Sequence, residues 1–538
     1  MTGTLLLTKA ALRRDRAQLL LWMVALMVGA MICAINISTG YGEEAQRIAS
    51  LEVARDNPAL LIGRGLPMGP SEGAFLFYTY GVILATVFAA FSTFFAVRHG
   101  RAEEDDGSRE LLRAAATGRL AHLAANFLSG TLATSALASA MILGLVIGGA
   151  DLRGSVSAAV VCAAVSLVFL AIGMLCGQLA PTARIAAGTG AATLSIFFLI
   201  RVAADIQAKI DPVTLIGRPA LSGWFSPFSL ALIANPYGRL NPLPLMLLLA
   251  VTAICLLCAV AIERQREFGD SLVPPRPGPG SAPRSLNSSL SLALRLQRGS
   301  LLGMMVAGFV VGAFAAVLAS LALGNEGRSD AISEIIESLV GHGGPLYDLL
   351  LSYVMVLVGE CAAIAGALAV LRARREEAAG NMEVVRAAGT GPARWFGSVL
   401  TVGIVSILLV LATAWAGAAS VYLARGMGAT AVWQVLAASA AQLPATALYL
   451  GLIALVFAWL PRLTSGFAWT ILAVGVVLAE LGGRLGLPEW VIANSPFVHT
   501  PLVTTANPEW GGAVTMITAA IAAMVLAMAI YRRRDLCP

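Results

Sequence analysis

Residues 101–118 read RAEEDDGSRELLRAAATG, and residues 374–391 read RREEAAGNMEVVRAAGTG. Ten of the eighteen positions are identical at a constant offset of 273 residues. A match of this length at one fixed offset marks an internal duplication. Each copy follows one long apolar run and precedes another. The runs decide the fold class. A chain of 538 residues that is 58% hydrophobic and only 12% charged has too few polar residues to cover a water-soluble particle. Its mean hydropathy is +0.82. About 20 apolar residues cross a bilayer as a helix, and a lipid-embedded backbone must satisfy its own hydrogen bonds. Long uninterrupted runs are not the alternating pattern of a β-barrel.

Outward from the two copies, the apolar runs predict spans near 17–38, 74–97, 123–149, 155–179, 185–204 and 243–262. A second set lies near 300–323, 346–371, 396–423, 432–459, 466–483 and 512–531. The expected architecture is an all-α polytopic membrane protein of about twelve transmembrane helices in two pseudo-symmetric six-helix halves. With both termini inside, 25 of the 36 Lys and Arg residues fall on the inner side, as the positive-inside rule requires. The net charge of +6 is then anchoring charge, and it does not point to nucleic acid. Both copies of the repeated loop face the cytoplasm. The outer loops 39–73 and 324–345 are long enough for amphipathic helices. The first span follows Arg13, Arg14 and Arg16 without a clear cleavage site and is expected to stay as an anchor.

Other echoes agree with a duplication. LRRDR at 12–16 precedes the first span, and LRLQR at 294–298 precedes the seventh; SPF recurs at 226–228 and 495–497. The halves are read as 1–262 and 294–538, joined by a cytoplasmic linker, 263–293, whose VPPRPGPGSAPRS core is rich in Pro, Gly and Ser. A parallel duplication predicts two equivalent bundles about an axis along the membrane normal.

In the repeated loop, Glu104, Gly107 and Glu110 are three apart, as are Glu377, Gly380 and Glu383. On a helix this spacing places the acids along one broad face. Glu110 with Arg113, and Glu383 with Arg386, are spaced to pair at i,i+3. Gly107 and Gly380 allow a turn or a close approach. A solvated loop that merely obeys the charge rule explains one copy. Retention of Glu, Gly and Arg in both copies argues instead for two docking helices and a partner with two equivalent sockets.

The pattern of two Glu, a Gly, a Glu and then Thr-Gly between the second and third spans resembles the coupling helix of ABC-2-type (type V) exporter permeases. The Arg-rich start resembles their elbow helix. The double length, LRLQRGSLLG at 294–303 and the VPPRPGP linker are similar to actinobacterial polyketide-antibiotic (tetronasin-type) exporter permeases. Richness in Arg, Ala and Gly fits a high-GC bacterial genome. The resemblance implies residence in the bacterial cytoplasmic (inner) membrane, amphipathic antibiotic or drug substrates, and two copies of a separate ATPase subunit that binds ATP and Mg. It assigns ATPase coupling to Glu103, Glu104, Gly107, Glu110 and Arg113, and to Glu376, Glu377, Gly380, Glu383 and Arg386. The first copy has Asp105 and Asp106 where the second has Ala378 and Ala379, so the two sockets are expected to differ.

The chain itself carries no P-loop. Its two lysines, Lys9 and Lys209, are followed by Ala10 and Ile210, and a phosphate-binding loop needs Lys before Ser or Thr. No cofactor is expected in this chain. Four histidines, His99, His122, His342 and His499, are scattered over both sides, and no metal site is read. Of seven cysteines, six lie in apolar runs. The lone CxxC of Cys255 and Cys258 is read as small buried hydrophobes, and no disulfide framework is legible.

Within the membrane, Glu360 interrupts the eighth span, and its repeat position is Val87. A charge there costs about 2.5–3.5 kcal/mol on insertion scales, so Glu360 is expected to face the bundle interior as a substrate contact or a packing hydrogen bond. Tyr78, Tyr80, Phe91 and Phe94 in the second span are further candidates for a substrate pathway. Arg201 with Asp205, and Glu480 with Arg484, are four apart near outer span ends and are candidate outer-gate pairs. Two other functions remain open from sequence. One is a secondary proton-coupled drug antiporter, with Glu360 as its proton site. The other is a membrane scaffold or signalling protein whose inner loops bind a regulator.

Overall fold

The computed structural model describes residues 3–56, 61, 63–110, 118–266, 280–281, 283–323, 346–482, 487–503 and 508–534. Arg113, Arg484 and the loop 324–345, expected on the outer side, lie outside the described residues. The fold is an all-α polytopic membrane protein, with twelve helices long and apolar enough to cross a bilayer among the described residues. The chain divides into two compact units, Met1–Gly278 and Pro279–Pro538.

The first unit opens with the short helix α1 (Thr4–Arg14), which stops at Asp15, and α2 (Arg16–Gly40) follows at once. A second short helix, α3 (Glu44–Asp56), occupies the expected outer loop. The remaining spans are α4 (Glu72–Val97), α5 (Ala121–Ile147), α6 (Leu152–Leu179), α7 (Ala183–Ile206) and α9 (Pro242–Gln265), with the short helix α8 (Pro227–Ile233) before the last. A two-stranded antiparallel ribbon, β1 (Lys209–Ile210) and β2 (Gly217–Arg218), lies between α7 and α8. Helix α4 runs on past the apolar stretch through a π-helical turn, Arg98–Ala102, to Asp105. Polar N-caps start several helices: Asp151 accepts from Gly154 N–H, Thr182 from Ile185 N–H and Asn241 from Leu243 N–H.

The second unit consists of α10 (Ser289–Leu323), α11 (Leu346–Ala378), α12 (Asn381–Ala387), α13 (Pro392–Ala424), α14 (Ala429–Ala440), α15 (Leu443–Trp459), α16 (Thr464–Leu481) and α17 (Gly511–Arg533). Helix α10 is continuous where the first unit breaks at Asp15. The predicted tenth span is two helices, α14 and α15, separated at Ala441–Gln442.

In each unit the second and fourth spans form the core. Helices α4 and α6 are 67% and 78% buried over their apolar windows, against 17% for α7 and for α9. Helix α11 is 72% buried, against 28% for α16 and for α17. The outer helices therefore present apolar faces suited to lipid.

Close helix crossings repeat between the units. A Cβ on Gly144 of α5 would clash with Met27 O of α2, and one on Gly417 of α13 with Phe309 O of α10. These glycines are 273 residues apart, and each lets the first and third spans of its unit touch backbone to backbone. The SPF echo is also structural. Ser226 and Ser495 each stand just before a proline-initiated helical turn. Each hydroxyl donates, at 2.7 Å, to a backbone carbonyl of the fifth span of its unit: Phe197 O or Gly475 O. Phe228 and Phe497 are buried beside them.

Candidate functional site

The repeated loop is built on a cluster of charges at the end of the first unit where α1 lies. Glu103 is held by Arg14, with His122 Nε2 at 2.8 Å and His99 Nδ1 at 3.3 Å. His99 Nε2 lies 2.7 Å from Asp15 Oδ2, and Arg98 donates to Asp15 Oδ1 at 3.0 Å. Burial alone lowers the proton affinity of the Arg14 guanidinium, but its hydrogen bond and charge contact with Glu103 outweigh this and raise its pKa. Glu104 accepts from Arg266 at 2.6 Å on both oxygens, and from Arg101 and Arg109 at 3.3 Å. Arg109 also reaches Glu263 at 2.5 Å, and Arg101 donates to Pro181 O at 2.6 Å. These contacts tie α4 to α1, to the loop before α7 and to the end of α9. The four segments therefore share one end of the unit, as alternating spans require. A cavity of about 320 Å3 lies against the network, lined by Leu7, Arg14, His99, Glu103, His122 and Asn126 among others.

Asp105 and Asp106 are spent locally. Asp105 accepts from Ala183 N–H at 2.6 Å, at the first turn of α7, and Asp106 Oδ1 accepts from Ser108 N–H at 2.9 Å. These bonds account for the departure between the copies, since Ala378 and Ala379 offer neither.

The second copy uses fewer charges. Glu377 is 4% exposed and is gripped by Arg534, which also donates to Phe457 O at 2.7 Å and lies over the Tyr531 and Phe457 rings. Glu376 pairs with Arg372 at 3.3 Å and accepts from Asn381 at 2.7 Å. Arg372 donates to Leu296 O at 2.6 Å, which fastens α11 to α10. Trp395, Phe396, Phe457 and Tyr531 form an adjoining stack, with the Phe396 and Tyr531 centroids 4.6 Å apart.

Beyond the acids the two copies turn in the same way. Gly107 has φ +76° and Gly380 has φ +74°. Their N–H groups donate to Glu104 O and Glu377 O, and their carbonyls accept from Glu110 and Glu383. Space around both glycines is open, so it is the left-handed backbone that favours glycine there. The turn is the first of the two roles read for these glycines: the helix stops before each glycine and restarts after it. Glu103, Glu104 and Glu377 are buried, and Glu376 is half-buried, so they fasten the loop from within. Glu110 and Glu383 are exposed. In α12, Met382 is buried while Val384 is 73% exposed. Glu383 and Arg386 form no ion pair in the structure. Arg113, with the rest of 111–117, lies outside the described residues.

The arginines that grip the loop were not singled out from sequence. Arg266 and Arg534 each stand immediately after the last span of their unit. They sit in a second echo, AIERQRE at 261–267 and AIYRRRD at 529–535, whose offset of 268 hides it from a search at 273. His99 and His122, read as scattered, meet on one carboxylate. No group able to hold a metal ion occurs among the described residues.

The membrane candidates are dispersed. Glu360 is buried in α11. Tyr78 and Phe91 are buried in α4, with Phe91 edge-on to Trp22; Tyr80 is half-buried and Phe94 is 49% exposed. Arg201 and Asp205 do pair, at 3.0 Å, and both are fully buried. Arg201 also donates to Leu61 O at 3.3 Å and lies over the Phe198 ring. Glu480 is in α16, half-buried, and its proposed partner Arg484 lies outside the described residues.

Residues 286–532 match the family model described as the C-terminal domain of the multidrug efflux system permease Rv1217c. Over 544 residues, covering 99% of this chain and 95% of the relative, the sequence is 30% identical to the multidrug efflux system permease protein Rv1217c of Mycobacterium tuberculosis (strain ATCC 25618 / H37Rv).

Proposed function

We propose, from the premise that this chain belongs to the family of multidrug efflux system permeases, that it is the permease of an ATP-driven exporter of amphipathic drugs or antibiotics. In this reading it is a fused, double-length permease of the ABC-2 type, set in the bacterial cytoplasmic membrane with both termini inside. Two copies of a separate ATPase subunit bind ATP and Mg and dock on the two repeated loops. The observation that carries the reading is the shared construction of those loops. In both units a buried Glu is gripped by the arginine that ends the last span, and a glycine turn follows. A push on the turn is thereby delivered to the ends of several spans at once. The exposed turn, and not the buried acids, supplies the contact: Glu110 in one loop, Glu383 and Val384 in the other.

The test is a chain carrying Glu383→Lys and Val384→Asp, assayed in inverted membrane vesicles with the intact transport system. Both positions are exposed, so the chain keeps its fold and its yield. ATP-driven drug uptake and co-purification of the ATPase are expected to fall together. Full uptake by this variant, or uptake that follows the proton gradient after ATP is exhausted, defeats the proposal.

A further inference from the structure

A cavity stands at the repeated loop of each unit, and the two are built from equivalent residues. The first, of about 320 Å3, lies between α1, the end of α4 and the start of α5. The second, of about 60 Å3, lies between the start of α10, the end of α11, α12 and α13. Nine of the eleven described residues that line the first have their repeat equivalent in the lining of the second. The offset is 273 for the loop and the third span, and 282 for α1 and the start of α10. What differs is the filling. Trp395 stands at the position of His122, Val399 at that of Asn126 and Leu296 at that of Arg14. Trp395 and Val399 are buried, and the Trp395 ring packs on Tyr531 at 5.7 Å. Apolar side chains thus suffice to fill most of this frame, yet the first unit leaves a space of the size that takes a small organic ligand.

The lining sets the chemistry of that ligand. Arg14 and Glu103 grip each other, and His122 Nε2 lies 2.8 Å from Glu103 Oε2. Both ring nitrogens of His99 are engaged, with Asp15 at 2.7 Å and Arg14 at 3.0 Å. A charged ligand would have to draw Arg14 or Glu103 from its partner, at the cost of a buried charge left unpaired. Asn126 is different. It is 4% exposed, its Nδ2 donates to Ala96 O at 2.9 Å, and its Oδ1 accepts nothing. A buried acceptor without a donor costs free energy that a ligand's hydroxyl or N–H recovers. Helix α1 contributes an apolar wall of Leu7, Ala10 and Ala11. Ala10 and Arg14 are exposed, so the space opens there. Leu5 and Leu6 of α1 are each 75% exposed beside Lys9 and Arg13, the pattern of a helix lying in a membrane interface, where amphiphiles concentrate.

We propose that the first cavity is a binding site for an uncharged amphiphile that carries a hydroxyl or N–H group. Asn126 accepts that hydrogen bond, and the apolar part lies against Leu7, Ala10 and Ala11. The site deepens the efflux-permease reading and rests on it in taking the ligand as cargo. Because Glu103 also walls the cavity, an occupant touches α1 and the repeated loop at once.

The purified full-length chain in lipid nanodiscs is photolysed with 4-(hydroxymethyl)benzophenone, an uncharged donor, or with its methyl ether, and the crosslinks are located by peptide mass spectrometry. The alcohol is expected to label the segments 4–14 and 121–129 saturably, and the ether to label them about fivefold more weakly, the worth of one hydrogen bond. Asn126→Val installs the residue of the second unit and is expected to bring the alcohol down to the level of the ether. Ala10→Trp, at an exposed position, is expected to block the mouth and remove the labelling by both probes while the melting temperature stays unchanged. Equal labelling of the unaltered chain by alcohol and ether overturns the site, as does full labelling of Ala10→Trp, or of Asn126→Val by the alcohol. Absence of saturable labelling in these two segments overturns it as well. The assay needs neither ATP nor a partner, so its failure leaves the ATP-driven reading to stand or fall by the vesicle assay.

Discussion

The two units carry a natural replacement experiment. In the first, Arg109 and Glu263 form an ion pair at 2.5 Å, with each side chain 5% exposed. In the second, the positions at offsets of 273 and 268 are Met382 and Tyr531, both buried. Both charges are gone together, as expected if one cannot be kept without the other. Arg109→Met alone leaves the Glu263 carboxylate buried, already with Oε2 accepting nothing. Breaking a buried pair this way costs about 3–5 kcal/mol. Glu263→Met leaves Arg109 its 3.3 Å contact with Glu104, so its cost falls at the lower end. The double variant removes both desolvated charges and returns to within about 1 kcal/mol of the parent. Each kcal/mol moves the melting temperature by about 2–4 °C in a domain of comparable size. Thermal unfolding of the detergent-solubilised chain should therefore fall by about 6 °C or more for Arg109→Met and recover in the double variant. A double variant that melts at the sum of the two single losses refutes the argument that the pair, and not each residue separately, is what the fold requires.

Gly144→Val and Gly417→Val each drive a side chain into a carbonyl of the neighbouring span, so membrane yield and monodispersity should collapse for both; normal yield for either breaks the equivalence of the crossings. Gly380→Ala meets open space but a left-handed backbone, so it should cost only about 1–2 kcal/mol, read as a small drop in melting temperature; a loss as large as that of Gly417→Val would mean the turn is packed and not merely bent.

The twelve spans were legible because hydropathy over 20 residues is a strong, local signal. So was the duplication, because the loop kept ten identities in register. The break at Gln442 was missed for the same reason: Ala, Leu and Val surround it, and a single Pro444 does not interrupt a hydropathy average. The acids of the loop were found, but their surroundings were not. Glu104 meets Arg266 across 162 residues, and no sequence periodicity encodes a contact at that range. The offset of 268 between AIERQRE and AIYRRRD was the available clue, since it lies five residues out of phase with the loop. The histidines show the same limit. His99 and His122 are 23 positions apart and fall on either side of a loop, yet both reach Glu103.

What the duplication preserves and what it relaxes separate cleanly. Glu104 and Glu377, the following glycine with its positive φ, and the arginine after the last span recur in both units. The fastening around them does not. The first unit surrounds the turn with five arginines, five carboxylates and two histidines. The second relies on stacked rings beside a single clamp and one surface-side pair. Charge networks and aromatic stacks hold a backbone equally well but respond differently to solvent: screening by salt weakens the former at their exposed edges and leaves the latter nearly untouched. If holding the turn were only a matter of stability, either solution could have spread to both halves and the Glu-to-arginine clamp could have drifted with the rest. Its retention at two places, against different packing, argues that the element under constraint is the mechanical link from the turn to the end of the last span.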